Sequence, residues 1–485
     1  MNPTRRNLGD FVKAYDVRGL VPEQLDDDVA RAIGSAFAHV VVRPDAAPGV
    51  VVGHDMRPSS PQLSRAFAEG VAAHGIDVTL IGLASTDQLY YASGALDRPG
   101  AMFTASHNPA EYNGIKLCRS NARPVGQDSG LVAIRDLAQA DLDGLASSDA
   151  PVLDGPPSPA PGRIAEVDVL PGYAAFLRGL VDLSGGRPLT VVVDAGNGMA
   201  GHTVPAVLGT EAGLPALPLT IVPLYFELDG TFPNHEANPL EPENLLDLQA
   251  AVRGHGADIG LAFDGDADRC FVVDERGEPV SPSAITALVA SREIARVVGA
   301  GAAPEQVRIV HNVITSAAVP EVIAEHGATA VRTRVGHSFI KAEMARADAV
   351  FGGEHSAHYY FRDFWFADTG MLAAMHVLAA LGETDAPLSA LAAAYERYVA
   401  SGEINSTVAD RNGATERAVA WARAQGPSET DTLDGVTVRH LGAPMWWFNV
   451  RASNTEPLLR LNVEAADRVT MEHVRDHVLA LLRQG

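Results

Sequence analysis

Val50–Gly82 reads VVVGHDMRPSSPQLSRAFAEGVAAHGIDVTLIG. An apolar β-branched run, a polar turn, an amphipathic stretch and a second apolar run follow one another, which predicts strand, helix and strand. The succession begins again at Thr190 (TVVVDAGNGMAG) and at Val307 (VRIVHNVITSAAVPEVIAEHGATAVRTRV). Recurrence at domain spacing predicts three related α/β units with largely parallel strands, in place of one large sheet. Towards the end the pattern changes. LSALAAAYERYV reads as helix, TLDGVTVRHL, WWFNV and LLRLNVE as alternating strands, and VTMEHVRDHVLALLRQ as a terminal helix, so a smaller α+β unit is expected there. The stretch Ser147–Arg163 (SSDAPVLDGPPSPAPGR) is too rich in proline and glycine to hold a helix and marks the first connection; GETDAPL from Gly382 marks a later one. The expected spans are 1–160, 161–277, 278–384 and 385–485.

With 485 residues, 47% hydrophobic and 20% charged, the chain is long enough for several cores. Its net charge of −23 leaves no broad basic face, so neither nucleic acid nor an anionic membrane is an expected partner. An anionic ligand has to be held by local arginines, amide groups or a metal ion. MNPTRRNLGDFVKAYDVRGL lacks the apolar core of a signal peptide, and MLAAMHVLAALG is too short to cross a bilayer. Cys118 and Cys270 stand far apart without metal-ligand spacing, which suits a reducing cytoplasm.

Four segments carry chemistry. In Thr104–Pro109, TASHNP, a serine follows the apolar AMF in a turn, which exposes its hydroxyl; His107, Asn108 and Lys116 supply donors for a phosphate. Asp264–Arg269, DGDADR, sets three carboxylates at alternate positions between apolar runs, a spacing that suits Mg²⁺ or Ca²⁺ better than zinc. A helix-loop-helix calcium site would place Glu275 twelfth, but Arg269 stands where that loop needs glycine, and the flanks read as strands. Glu354, Ser356 and His358 alternate in GEHSAHYYF, and in extended backbone they share one side, as contacts to sugar hydroxyls or as an ordinary half-exposed strand. Arg451, Ser453, Asn454 and Thr455 of RASNTEP lie between strand-like runs, offering a guanidinium, hydroxyls and N–H groups to a phosphate. GNGMAG at Gly196–Gly201 fits a dinucleotide fingerprint, yet crowding by Asp194 and Pro205 favours a tight strand-to-helix turn.

Together and in this order, the segments resemble the α-D-phosphohexomutase family, most closely its phosphomannomutase/phosphoglucomutase branch. KAYDVRG (Lys13–Gly19), TASHNPAEYNGIK, DGDADR, VGHSFIK (Val335–Lys341), GEHSAH and RASNTEP carry the resemblance over nearly the whole chain. It implies three similar mixed α/β sheet domains and a smaller C-terminal α+β domain around a central cleft. The four expected spans then carry the phosphoserine loop, the metal loop, sugar recognition and the phosphate clamp. It implies an isomerase that moves a phosphoryl group between C1 and C6 of mannose or glucose phosphate, through phospho-Ser106 and a hexose 1,6-bisphosphate, which also serves as activator. Mg²⁺ would be held by Asp264, Asp266, Asp268 and the phosphate on Ser106. Lys116, Arg269, His358 and His107 fall on catalytic positions, and Tyr15, Arg18, His337, Glu354, Ser356, Arg451, Ser453, Asn454 and Thr455 on substrate-binding ones. Alternatives are a phosphoglucosamine mutase and a metal-dependent phosphomonoesterase. Two departures stand out: Ile314 where the family often has lysine, and His355 with Ala357 inside GEHSAH.

Overall fold

The computed structural model describes residues 6–13, 15–144, 160–452 and 458–484. Ser453, Asn454 and Thr455 lie outside the described residues. The described residues form three mixed sheets packed with helices and, towards the C-terminus, an antiparallel sheet. The chain packs as two compact units, Met1–Pro279 with His358–Leu388, and Val280–Ala357 with Ser389–Gly485.

In the first unit, Val50–His54, Val78–Leu83 and Gly100–Phe103 are parallel neighbours, and Tyr112–Arg119 runs antiparallel beside Gly100–Phe103. Val50, Val52, Ala101 and Phe103 pack with the helices Asp27–Phe37 and Ser60–Ala72. Val51 and Met102, one residue along, join Leu89 and Ala92 of the helix Thr86–Leu96. Both faces of the sheet are therefore covered, which is why its strands read as unbroken apolar runs. The strand Ile164–Glu166 pairs with Val78–Leu80 and belongs to this first sheet, past the break expected at residue 160.

A second sheet sets Ile259–Phe263 between Leu189–Asp194, parallel, and Cys270–Asp274, antiparallel. The antiparallel pair is joined by the aspartate loop, so the flanks of DGDADR are strands, as its apolar neighbours predict.

In the second unit, Arg308–Asn312 has parallel partners in Thr329–Thr333 and Phe351–Gly353. Its other sheet orders Val399–Thr407, Leu458–Ala465, Trp446–Ala452, Val436–His440 and Ser428–Asp431 antiparallel. The helices Arg411–Ala424 and Arg468–Leu482 cover one face, burying Ala414, Ala418, Val474 and Val478 with Phe448 and Leu461.

Two expectations are corrected here. The helix expected over LSALAAAYERYV covers only Leu388–Ala393, and the edge strand Val399–Thr407 follows. That strand and the helix Arg411–Ala424 escape a reading by pattern, because the strand is exposed at most positions and the helix buries only alanines. GEHSAH is also not extended. Residues 354–357 form a turn in which the N–H of Ala357 donates to the Glu354 carbonyl at 3.1 Å, and Ala357 has φ +64°. The alternation of polar residues there reflects a tight turn, not one side of a strand.

Candidate active site

Ser106 begins the turn after Gly100–Phe103 and adopts φ +51°, a left-handed conformation that costs a serine about 1 kcal/mol or more. Arg57 holds the turn in place. Its guanidinium, wholly buried, donates to the carbonyls of Ser106 (2.9 Å), Asn108 (2.7 Å), Pro109 (2.8 Å) and Tyr112 (2.9 Å), and Asp55 stands 3.3 Å from its Nε. The N–H of Ser106 donates to Thr104 Oγ1 at 2.9 Å.

The Ser106 hydroxyl donates to Asp264 Oδ2 at 2.8 Å. Residues 158 apart in sequence thus meet, and the aspartate loop and the serine turn form one site. The loops fit backbone to backbone: a Cβ on Gly265 would collide with the Ser106 carbonyl oxygen. One carboxylate oxygen from each of Asp264, Asp266 and Asp268 lies within 4.8 Å of the others. All three residues are buried, and among the described residues neither Asp266 Oδ1 nor Asp268 Oδ1 has a hydrogen-bond partner.

Cations close the loop from two sides. Lys116 Nζ lies 2.6 Å from Asp266 Oδ2 and 2.6 Å from Asp268 Oδ2. Arg269 donates to Asp264 Oδ2 through Nε (2.9 Å) and to His107 Nδ1 through its terminal nitrogen (2.7 Å). Because a guanidinium only donates, His107 Nδ1 is the acceptor and the imidazole is neutral. Burial, and then the charges of Arg269 and Arg18, hold its pKa well below the usual value. Burial also pushes the Asp264 carboxyl up to about 8 against the pull of Arg269. Burial would raise Asp266 as well, but the charge and hydrogen bond of Lys116, with the hydroxyls of Thr86 and Ser106, together drive it down. Lys116 itself stays protonated, since its two aspartates overcome the desolvation that would lower it.

Arg18, on the strand Val17–Leu20, donates to Asn108 Oδ1 at 2.6 Å and pairs with Asp16, so the opening motif reaches the serine turn. Tyr15 is half-buried beside it in sequence. His358 Nε2 lies 3.6 Å from Asp268 Oδ1, and His358 bridges to Arg269 in an isolated antiparallel pair. Ser106, His107, Lys116, Arg269, His358, Arg18 and the three aspartates thus gather within the first unit.

The second unit holds the remaining described positions. Glu354 is buried and accepts from Asn312 Nδ2 (3.2 Å) and from the N–H of Gly336 (3.1 Å), which fixes it beside His337 at the start of the helix His337–Ala347. Ser356 is half-buried on the turn after Glu354. Ile314 is buried, its N–H donating to Asn312 Oδ1 at 3.1 Å. Arg451 is paired with Glu403, and Arg460, directly opposite it across the strand pair, shares the same carboxylate at 3.2 Å.

Models of all four domains of the phosphoglucomutase/phosphomannomutase family match: the alpha/beta/alpha domains I, II and III at residues 10–145, 171–277 and 281–398, and the C-terminal domain at 403–481. The chain belongs to this family. It is 39% identical over 480 residues to a phosphomannomutase of Escherichia coli, covering 97% of this chain and 98% of that protein. Phosphohexose mutases of Xanthomonas campestris pv. campestris are 39% identical over 475 residues, covering 98% and 99%. The crystal structure of a phosphoglucomutase/phosphomannomutase family protein from Burkholderia thailandensis superposes with a TM-score of 0.82 at 31% identity, covering 98% of this chain and 97% of that one.

For a member of the phosphoglucomutase/phosphomannomutase family, reading the sequence motif by motif missed three site residues. Arg57 and Asp55 follow the strand Val50–His54, and the signal for them was an Asp-x-Arg pair where the apolar run ends. Thr86 donates its hydroxyl to Asp266 Oδ2 at 2.6 Å and has no motif around it. The GNGMAG turn also finds its place. The N–H of Met199 donates to the Gly265 carbonyl at 2.9 Å, and a Cβ on Gly198 would sit 2.7 Å from that oxygen. Its glycine permits the strand-to-helix turn to lie against the aspartate loop, and no dinucleotide is needed to explain it.

Proposed function

We propose that this chain transfers a phosphoryl group reversibly between C1 and C6 of a hexose phosphate, mannose or glucose phosphate, with Ser106 as the covalent relay and a hexose 1,6-bisphosphate as intermediate and activator. It is in this reading a phosphotransferring isomerase. The observation that carries it is the 2.8 Å hydrogen bond from Ser106 Oγ to Asp264, inside a buried triad of carboxylates. A serine that only shaped a turn would not be presented to three aspartates.

The triad fits a hard divalent ion such as Mg²⁺: the donors are all oxygens, and two of the buried oxygens have no hydrogen bond among the described residues. Asp264, Asp266 and Asp268 would hold it, together with a phosphate oxygen on Ser106. Bound there, the ion would neutralise charge developing on the phosphoryl oxygens.

In the forward step the bond between phosphorus and Ser106 Oγ breaks, and a bond from phosphorus to the sugar oxygen forms. The sugar hydroxyl gives up its proton, and Ser106 Oγ takes one. Lys116, 2.6 Å from two triad aspartates, would act as the acid or polarising group, with His358 on the Asp268 side. Arg269 and Arg18 offset the negative charge of the phosphoryl group, and neutral His107 accepts or donates without adding charge. Transfer through a loose transition state needs positioning and electrostatics above all, and the buried network supplies both. Glu354, Ser356 and His337 would contact the hexose hydroxyls, Tyr15 would lie near the phosphate, and Arg451, Ser453, Asn454 and Thr455 would grip the phosphate that is not reacting. The spans 1–160, 161–277, 278–384 and 385–485 would supply serine loop, metal loop, hexose contacts and clamp in turn.

A coupled assay of mannose 1-phosphate, glucose 1-phosphate and glucosamine 1-phosphate, with Mg²⁺ and a trace of hexose bisphosphate, tests the reading. Isomerisation of mannose or glucose phosphate is expected. Free phosphate without isomerised sugar would replace it with a phosphomonoesterase, and turnover of the glucosamine ester alone with a phosphoglucosamine mutase.

A further inference from the structure

We propose that Thr86 is a positioning residue of the divalent-cation site: its hydroxyl ties down one oxygen of Asp266, so that the other is presented to the ion. The inference rests on the aspartate triad as a cation site and adds to it a residue that no motif contains.

The two oxygens of Asp266 are treated differently. Oδ2 accepts from Thr86 Oγ1 at 2.6 Å and from Lys116 Nζ at 2.6 Å. Oδ1, equally buried, accepts no hydrogen bond from any of the described residues. An unpaired buried carboxylate oxygen carries a large desolvation cost, and a cation is the partner that relieves it. The outer bonds therefore fix the plane of the carboxylate, and with it the direction in which its second oxygen is offered to an ion.

Thr86 and Lys116 share that task with opposite electrostatic consequences. Lys116 carries a positive charge close to the place a cation would occupy, so its grip on Asp266 opposes binding. The threonine hydroxyl is neutral and orients the carboxylate without this repulsion.

Thr86 is also held where it must be. It is wholly buried at the first position of the helix Thr86–Leu96, and its backbone N–H donates to the Asp266 carbonyl at 3.0 Å. Ser85 caps that helix. Asp87, next in the chain, accepts from Tyr173 OH at 2.7 Å and from Thr369 Oγ1 at 2.7 Å. Three sequence-distant segments thus fix the helix start and with it the backbone of Thr86.

The test is Mn²⁺ binding to the full-length protein, followed by electron paramagnetic resonance, for wild type, Thr86→Val and Thr86→Ser. Valine keeps the shape and removes the hydroxyl; serine keeps the hydroxyl. Thr86→Val is expected to weaken Mn²⁺ by about 10–100-fold, and Thr86→Ser to stay within about threefold. In activity, the Mg²⁺ concentration for half-maximal rate should rise by the same factor in Thr86→Val, with the rate largely restored at saturating Mg²⁺. Equal Mn²⁺ affinity in Thr86→Val and wild type would overturn the proposal, even if the metal-free variant melts lower, since a packing role would move stability alone. Loss in Thr86→Ser equal to that in Thr86→Val would overturn it as well. Should Thr86→Val not fold, Thr86→Ala replaces it under the same thresholds. A wild-type protein that binds no Mn²⁺ would remove the cation site itself, an outcome distinct from a variant that binds normally.

Discussion

Arg57 donates to the carbonyl of Ser106 at 2.9 Å, and the same guanidinium reaches three further carbonyls of the turn. A serine in a left-handed conformation persists only where its surroundings impose it, and here one buried side chain does most of that. Replacing Arg57 by methionine should remove the four bonds and leave Asp55 buried without its partner, a loss of about 3–5 kcal/mol in urea unfolding. Arg57→Lys keeps the charge but not the planar fork. It should fold, and still lose most of its kcat with KM little changed.

Ser106→Ala should show no mutase turnover, with a melting temperature within a few degrees of wild type, since the turn is held through backbone carbonyls that alanine retains. Incubation with labelled hexose bisphosphate should mark the wild-type chain and leave the variant unlabelled. Turnover by Ser106→Ala above background would remove the covalent relay.

Removal of divalent ions by a chelator should abolish turnover and lower the melting temperature, because three clustered buried carboxylates then have only Lys116 and Arg269 to offset their charge. Asp266→Asn should lose both responses. A chelator-insensitive melt and rate would show that the aspartate loop serves another purpose.

His311 sets an acid limit on the second unit. Burial pushes its imidazole down to about 4, with Arg332 and Arg439 adding to the effect and its bond to the Asn312 carbonyl opposing it. The folded protein therefore keeps it neutral, while the unfolded chain takes up a proton near pH 6.5. The stability it contributes is present above that value and is lost as pH falls to about 4, by roughly 3 kcal/mol. His311→Gln should flatten this part of the acid limb. An unchanged slope between pH 6.5 and 4 would show that other groups govern it.

How much was legible follows from where the signals lie. Strands covered on both faces, such as Val50–His54 and Ile259–Phe263, are continuous apolar runs and could be read directly. The turn carrying Ser106 and the loop carrying Asp264, Asp266 and Asp268 announce themselves by composition between such runs. The edge strand Val399–Thr407 and the alanine-faced helix Arg411–Ala424 lack a strong apolar period and were not readable. GEHSAH imitated a strand, because a polar alternation is equally compatible with a turn once Ala357 takes a left-handed conformation.

The sequence by itself determined the repeated α/β plan, the serine and aspartate loops, and the family, since each rests on a local pattern of residue types. Only the tertiary structure decided that Ser106 meets Asp264, that Arg57 supports the turn, and that Thr86 and Lys116 bond the same oxygen of Asp266. Those relations join residues up to 180 positions apart. A local pattern carries no record of them, because they exist only once separate strands and helix ends are brought within hydrogen-bonding distance.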